Sequence, residues 1–185
     1  MHVLEWIAVV FNLGYLYYAR KQQRTGWIFG GLGSLLYILI NFEAALYQDM
    51  LLQLIYVLAA VWGWVKWGSS QQNDIYSRKL NDKQKLSIAL IGIIFPLVLG
   101  FLLTPLQAGF AYWDSTVTIW SLMATGLTIY RFIENWPLWI IINLGIAGMY
   151  YQKCLFPTTI LYLIYTDLAI EGWILWKSKL SSRDE

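Results

Sequence analysis

The sequence predicts an all-α membrane protein with seven transmembrane helices, and three observations support this prediction. Hydrophobic residues make up 58% of the 185 residues and charged residues only 13%, a composition too apolar for a soluble domain of this size. The apolar residues fall into seven runs, each about long enough to cross a bilayer. The second half of the chain also repeats the pattern of the first half. These features together predict a polytopic membrane protein built from two similar halves.

Seven apolar segments define the predicted spans, and polar stretches separate them. No cleavable signal pattern precedes the first segment, so we expect it to remain as a helix. Pro96 predicts a kink in the fourth segment. The predicted spans are residues 3–18, 27–45, 50–65, 86–103, 115–130, 136–151 and 158–175.

An internal repeat relates the two halves by an offset of 109 positions. Two copies of three helices that are separated by one extra helix must enter the membrane from the same side, so the copies are predicted to be parallel. The predicted arrangement is therefore 3+1+3, with a substrate path where the two bundles meet. Matching pairs are Glu5 and Asp114, Trp27 and Trp136, Leu46 and Leu155, Leu52 and Leu161, Tyr56 and Tyr165, Ala60 and Ala169, Gly63 and Gly172, Trp64 and Trp173, and Trp67 and Trp176.

The basic residues divide the connecting segments between two sides of the membrane. Almost all of them follow the first, third, fifth and seventh spans, and Lys153 is the exception. The positive-inside rule therefore places the amino terminus outside and the carboxyl terminus in the cytoplasm. The predicted organisation is a first three-helix bundle at 1–67, a cytoplasmic connector at 68–85, a linker helix at 86–109, a second three-helix bundle at 110–178 and a cytoplasmic tail at 179–185.

The titratable residues give little support to catalysis. Cys154 and His2 are the chain's one cysteine and one histidine, so metal sites and catalytic triads of the usual kinds are not expected. The sequence has neither a phosphate-binding P-loop nor a nucleophile elbow. We therefore expect no enzyme activity, no cofactor, no bound metal and no nucleic-acid partner, and an integral-membrane enzyme is the weaker alternative.

The stretch ENWPLWIIIN opens the sixth span and carries the first candidate site. Asn135 can cap this helix, and Pro137 suits its first turn. Trp136, Trp139 and Asn143 follow at intervals of three and four and so share one face. Two indole rings and an amide can hold a flat, polar, cationic molecule. The alternative is an interfacial tryptophan belt with an asparagine bonded to a neighbouring helix.

Several motifs give the chain a family resemblance. The first half contains GWIFGGLGSLLYILI, LYQDMLLQLIYV and GWVKW, and the second contains YWDS, ENWPLWIIIN and EGWILW. In this order the motifs resemble those of the Pnu vitamin transporters. The resemblance implies a fold similar to that of the SWEET transporters and a homotrimer in the bacterial inner membrane. It also implies facilitated diffusion of a vitamin that a cytoplasmic kinase then traps by phosphorylation. A channel or sugar carrier of SWEET type would share the fold but carry other motifs.

The same resemblance suggests which vitamin is carried. Trp136 and Trp139 match the family's tryptophan pair, and Asn143 stands where some members have aspartate. An amide can both donate to and accept from a carboxamide, which favours nicotinamide riboside. The chain begins at the seven-helix core without an additional leading segment, which keeps thiamine as the alternative substrate.

Further candidate substrate contacts lie on the second, third and seventh spans. Gln53 and Tyr56 share a face of the third span, where similar proteins contact substrate, and the repeat relates Tyr56 to Tyr165. Tyr37 and Asn41 share a face of the second span. The alternatives are hydrogen bonding between helices for Gln53 and contact with lipid headgroups for Asn41.

Two acidic residues depart from the apolar character of the seventh span. Asp167 lies near the middle of this span, where an acidic group costs about 2.5–3.5 kcal/mol on insertion scales. It is predicted to neutralise a cationic substrate or to couple transport to protons, and the alternative is a protonated or hydrogen-bonded structural aspartate. Glu171 is predicted to pair with Lys66 or Lys177.

Overall fold

The computed structural model describes residues 2–43, 47–69, 77–105, 111–154 and 156–181. These residues form seven helices and no β-strand, with one isolated parallel bridge between Arg78 and Phe132. The prediction of an all-α chain with seven helices is confirmed. The helices are α1 (His2–Arg20), α2 (Thr25–Glu43), α3 (Tyr47–Gly68), α4 (Asp82–Leu103), α5 (Ala111–Ile129), α6 (Asn135–Gln152) and α7 (Phe156–Ser181).

The largest differences from the predicted boundaries are at the starts of α4 and α5 and at the end of α7. Asp82 begins α4 four residues before the predicted span, because Asn81 and Gln84 form a capping box. The Asn81 side chain accepts from the Gln84 amide at 2.8 Å, and the Gln84 side chain accepts from the Asn81 amide at 2.9 Å. At the other end of the chain, α7 continues to Ser181. Parts of the predicted second span, connector, linker helix and tail fall at 44–46, 70–76, 106–110 and 182–185, outside the described residues.

Four helices of the described part are long and apolar enough to cross a bilayer, judged by length and composition alone. The remaining three helices are less apolar over a membrane-length stretch. In α5 and α6, for example, Ser121, Thr125 and Asn143 are buried. The four apolar segments are Thr25–Glu43, Asp49–Gly68, Asp82–Leu103 and Thr158–Leu180.

The chain forms two compact units. Unit 1 comprises residues 1–76 and 167–185, and unit 2 comprises residues 77–166. Helix α7 contributes to both, with Thr166 as the last of its residues in unit 2 and Asp167 as the first in unit 1. The boundaries of these two units do not coincide with those of the two sequence copies. The bundles at 1–67 and 110–178 therefore stay a prediction.

In unit 1, α2 packs against both α1 and α3, and Trp27 lies at the centre of this packing. The Trp27 ring is 5.6 Å from that of Tyr15 and 5.3 Å from that of Trp67, measured between ring centroids. A methyl group added at Gly63 would lie 2.3 Å from the indole of Trp27. Glycine at this position therefore allows α3 to approach the tryptophan closely.

The end of α7 also belongs to unit 1 and contacts the last turn of α1. The indole nitrogen of Trp176 donates to the carbonyl oxygen of Arg20 at 3.0 Å, and Trp176 is fully buried. Glu171 forms an ion pair with the guanidinium of Arg20. The fold thus brings the end of α1 to this carboxylate, and the predicted pairing of Glu171 with Lys66 or Lys177 stays a prediction.

In unit 2, α4 packs against α5, and a proline in α4 creates one of the contacts. Pro96 has no amide hydrogen, so the carbonyl of Gly92 loses its usual partner within the helix. The indole nitrogen of Trp120 on α5 donates to this carbonyl oxygen at 2.8 Å. The polar group that the proline exposes in α4 is thus satisfied by the neighbouring helix, as backbone inside a bilayer requires.

The turns before α2 and α6 have the same backbone conformation. Gln22 and Arg131, which are 109 positions apart, both have a φ of 58°. Their amides donate to the carbonyls of Ala19 and Thr128, three residues back. The next amides, of residues 23 and 132, donate to the carbonyls of residues 18 and 127. This pair of bonds is the Schellman motif that ends a helix, so the sequence repeat extends to the local structure of these turns.

Candidate functional site

The central part of α6 carries a stripe of aromatic and polar side chains in unit 2. Trp139, Asn143, Ile146 and Tyr150 follow at intervals of four, three and four and therefore share a face. Ile146 belongs to a buried apolar cluster with Ala124 and Ile142. The partly buried side chains packed against this cluster are Val117, Trp120, Leu138, Trp139, Tyr150 and Tyr162.

Three tyrosines extend the aromatic surface from α6 onto α7. The rings of Tyr150 and Tyr162 are stacked, with centroids 5.8 Å apart and an interplanar angle of 16°. The ring of Tyr165 meets that of Tyr162 edge to face at 5.7 Å. Tyr162 therefore joins the predicted Tyr165 to the cluster that contains Trp139.

The two candidate tryptophans have different environments. The Trp136 side chain is only 1% exposed, whereas that of Trp139 is partly exposed. Asn143, one turn further along α6, is 6% exposed. In this conformation Trp139 has accessible surface and Trp136 has almost none, although the two lie on one helix. We therefore regard Trp139 as the first candidate contact, and the role of Trp136 stays a prediction.

The start of α6 differs from the prediction. Asn135 does not cap the helix: it is the first helical residue, and the preceding Glu134 provides no capping hydrogen bond to it. The side-chain nitrogen Nδ2 of Asn135 donates to the carbonyl of Phe132 at 2.6 Å, and this side chain is fully buried. Glu134 accepts instead from the backbone amide of Leu80, with 3.0 Å between N and Oε1. Its position is thus fixed by the segment before α4.

The remaining candidates belong to unit 1. Tyr37 and Asn41 lie on α2, and Gln53 and Tyr56 lie on α3, the helix that packs against α2. Asn41 is 8% exposed and the other three are partly buried. Asp167 has an exposed side chain on α7. The contribution of these five residues to substrate binding stays a prediction.

Sequence reasoning missed Tyr150 and Tyr162, although the repeat contains a signal for both. An offset of 109 relates Asn41 to Tyr150 and Gln53 to Tyr162. The predicted polar pair of unit 1 therefore corresponds to the stacked tyrosine pair of unit 2. Extending each candidate through the repeat would have identified both tyrosines.

A groove of about 370 Å³ in unit 2 lies apart from this aromatic cluster. It is bounded by the first turns of α4 and by the end of α5, with Lys83 and Ser87 on one side and Leu127 and Phe132 on the other. None of the residues that line it belongs to the cluster around Trp139. The groove is therefore a separate feature of the connector region.

Comparison with known proteins identifies the class of this fold. The solved crystal structure of the vitamin B3 transporter PnuC superimposes with a TM-score of 0.79 over 97% of this chain and 82% of that chain, at 21% sequence identity. The chain therefore has the seven-helix membrane fold of that structure. Its apolar spans agree with a multi-pass protein of the inner membrane.

The family follows from the sequence itself. Residues 2–178 match the family model described as nicotinamide mononucleotide transporter, so the chain belongs to that family. The nicotinamide riboside transporter PnuC of Escherichia coli K12 is 26% identical over 97% of this chain and 88% of its own length. The protein of the same name from Neisseria mucosa is 23% identical over 96% of this chain and 72% of its own length. The resemblance to the Pnu transporters is confirmed, and the family is one of transporters and not of enzymes.

Proposed function

We propose that this chain is an uptake transporter for nicotinamide riboside. The observation that carries the proposal is the cluster on α6 and α7, in which a partly exposed tryptophan and a stacked tyrosine pair occur together. A buried amide, that of Asn143, lies one turn from this tryptophan on the same face of α6. The names of the relatives from Escherichia coli and Neisseria mucosa support the same substrate.

The chemistry of the cluster suits the riboside. Its pyridinium ring is flat and cationic, and the face of an indole attracts such a ring. The carboxamide on the ring needs one donor and one acceptor, and the amide of Asn143 provides both. Trp139 therefore binds the ring in this proposal, and Asn143 orients it through the carboxamide.

The residues of the cluster favour the riboside over the mononucleotide for which the family model is named. A phosphate group is held in proteins by Arg, Lys or backbone amides at a helix start. The described side chains that form the cluster are all uncharged. Thiamine is also cationic and aromatic, but no observation favours it, and the carboxamide partner at Asn143 favours the riboside.

We also propose how transport proceeds. The sequence lacks a phosphate-binding loop, which supports facilitated diffusion followed by phosphorylation of the riboside by a cytoplasmic kinase. The distribution of basic residues supports an external amino terminus and a cytoplasmic carboxyl terminus. The homotrimer and the fold of SWEET type that the family resemblance implies belong to the same proposal. Asp167, exposed on α7, stays a candidate for countercharge or proton coupling.

The first prediction concerns Trp139. A cation–π contact contributes about 2 kcal/mol where it is shielded from water, so Trp139→Ala should raise the Kd for nicotinamide riboside roughly thirtyfold. Isothermal calorimetry of the purified protein measures this change. Trp173→Ala is the matched control, because Trp173 is 40% exposed and lies in unit 1, and its Kd should equal that of the wild type.

Flux into proteoliposomes separates a carrier from a receptor. We expect the riboside to equilibrate across the membrane without an ion gradient or ATP, and Trp139→Ala to slow entry at low substrate concentration. Thiamine and the mononucleotide, tested in parallel, should enter more slowly. Failure of the wild type to bind or to transport the riboside would contradict the proposed function.

A further inference from the structure

Residues 77–80, which we call the strap, run alongside the turn before α6. The amide of Arg78 donates to the carbonyl of Arg131 at 2.8 Å, and the amide of Ile133 donates to the carbonyl of Arg78 at 2.9 Å. The third bond is the one from the amide of Leu80 to Glu134 Oε1, at 3.0 Å. Three hydrogen bonds thus join the strap to Arg131, Ile133 and Glu134 of the turn.

The burial of these residues indicates that the strap is firmly seated. Ser77 is fully buried and Leu80 is 6% exposed, whereas Arg78 and Lys79 between them point outward. On the turn, Ile133 is 6% exposed. The second carboxylate oxygen of Glu134 is also inaccessible to solvent. The strap therefore closes over this turn with its two end residues inward.

The turn is continuous with the helix that carries the proposed site. The amide of Trp136 donates to the carbonyl of Ile133 at 3.2 Å, so the first turn of α6 begins inside the segment that the strap holds. Asn143 lies eight residues after Asn135, or about 12 Å along the helix. A tilt of about 10° at the turn would move it by roughly 2 Å, which is more than a preorganised site tolerates.

The corresponding turn in the first half has no such carboxylate. The repeat offset of 109 relates Glu134 to Thr25, the first residue of α2. Thr25 is followed by Gly26 and Trp27, and no proposed substrate contact lies within the next two turns of α2. The carboxylate therefore occurs in the copy that carries Trp139 and Asn143.

We propose that the strap positions the substrate site and that Glu134 is its positioning residue, so that substrate binding and docking of the strap stabilise each other. This inference rests on the proposed function, because it concerns the riboside site on α6. Glu134 itself need not touch the substrate. It fixes the angle at which α6 leaves the turn, and a substrate that requires this angle holds the strap in place by linkage.

Calorimetry on the full chain with nicotinamide riboside tests the positioning role. Glu134→Ala should raise the Kd about tenfold without changing the stoichiometry, whereas Glu134→Gln retains the acceptor for the Leu80 amide and should stay within about twofold of the wild type. Thr25→Ala, at the corresponding position of the other turn, should leave the Kd unchanged. A purely structural role would reduce the fraction of protein that binds and leave the Kd of the remainder unchanged.

Limited trypsin digestion tests the reciprocal effect at Arg78 and Lys79, which are exposed. Because trypsin needs the strap undocked, and the undocked site is expected to bind about tenfold more weakly, riboside at ten times its Kd should slow cleavage at these two sites about fivefold. In Glu134→Ala, cleavage should be fast and depend only weakly on ligand. Equal Kd values for Glu134→Ala and the wild type, or cleavage that ignores bound riboside, would overturn the inference. A wild type that binds no riboside would instead contradict the proposed function, and the inference with it.

Discussion

The turn at Gln22 and the turn at Arg131 have the same backbone but different neighbours. Both end a helix with a Schellman motif and lead into a helix whose early turns contain a buried tryptophan. Around the first turn the neighbours are side chains, since Trp176 donates to the Arg20 carbonyl and Glu171 pairs with its guanidinium. Around the second turn the main neighbour is backbone, contributed by the strap at residues 77–80.

The two copies of the repeat share the backbone conformation of this turn, but the residues that surround the turn differ. The backbone of each turn is set by bonds within the turn, so it is kept when the surroundings change. The surroundings differ because the strap contacts the second turn, whereas the end of α7 contacts the first. Because side chains surround the first turn, its stability should depend on their packing. Because backbone groups of the strap bond to the second turn, its stability should depend on the strap's amides.

The largest loss of stability should come from a change in the packing around Trp27, which follows the first turn. In Gly63→Ala the new methyl group would overlap the Trp27 ring, which Tyr15 and Trp67 hold in place. Such overpacking costs about 1–3 kcal/mol or more, and the melting temperature of the purified protein should fall accordingly. Gly148→Ala is the control, because a methyl group there meets nothing within 4 Å. Equal melting temperatures for the two variants would contradict the close approach of α3 to Trp27.

A smaller effect should come from the second turn. Arg78→Pro removes the amide that donates to the Arg131 carbonyl at 2.8 Å and leaves that acceptor without this bond, at a cost of about 1–2 kcal/mol. Arg78→Ala keeps the amide and removes only an exposed side chain, so its free energy of unfolding should stay within about 0.5 kcal/mol of the wild type. Thermal unfolding of both variants measures the difference. If alanine were as damaging as proline, the strap would act through its side chains.

The smallest effect should come from a contact that the first turn has and the second lacks. The guanidinium of Arg24 lies 4.5 Å from the centre of the Trp64 ring, whereas the corresponding residue of the second turn is Ile133. Arg24→Gln should cost about 0.5–1 kcal/mol, as expected for an exposed cation–π pair. Lys79→Gln removes the same charge from an exposed position on the strap and should change stability less. Equal losses of stability in the two variants would mean that the stability depends on net charge and not on the contact with the Trp64 ring.

Much of the fold was predictable from the sequence because apolar runs and repeats determine it. The seven helices follow the seven apolar segments. The repeat also includes Gly63 and Trp27, which it relates to Gly172 and Trp136. The turns were harder to predict, since residues at the left-handed end of a helix are usually glycine and here are Gln22 and Arg131. The sequence around these two residues does not predict the left-handed conformation.

The candidate site was predictable along one helix and much less so between helices. Trp139 and Asn143 follow from helical periodicity alone, but the stack of Tyr150 on Tyr162 depends on how α6 and α7 meet. The bond from Leu80 to Glu134 joins residues 54 positions apart, and no spacing rule reports such a contact. Burial, which separates Trp139 from Trp136, is likewise a property of the folded chain.

The proline in α4 has a consequence for biosynthesis. When α4 emerges first from the ribosome, the Gly92 carbonyl that Pro96 leaves without its helical partner has no indole to bond, because Trp120 is 28 residues further along. An unsatisfied carbonyl in lipid costs several kcal/mol. Insertion of α4 and α5 as a hairpin removes this cost at once, so the ribosome and translocon should release these two helices into the bilayer together.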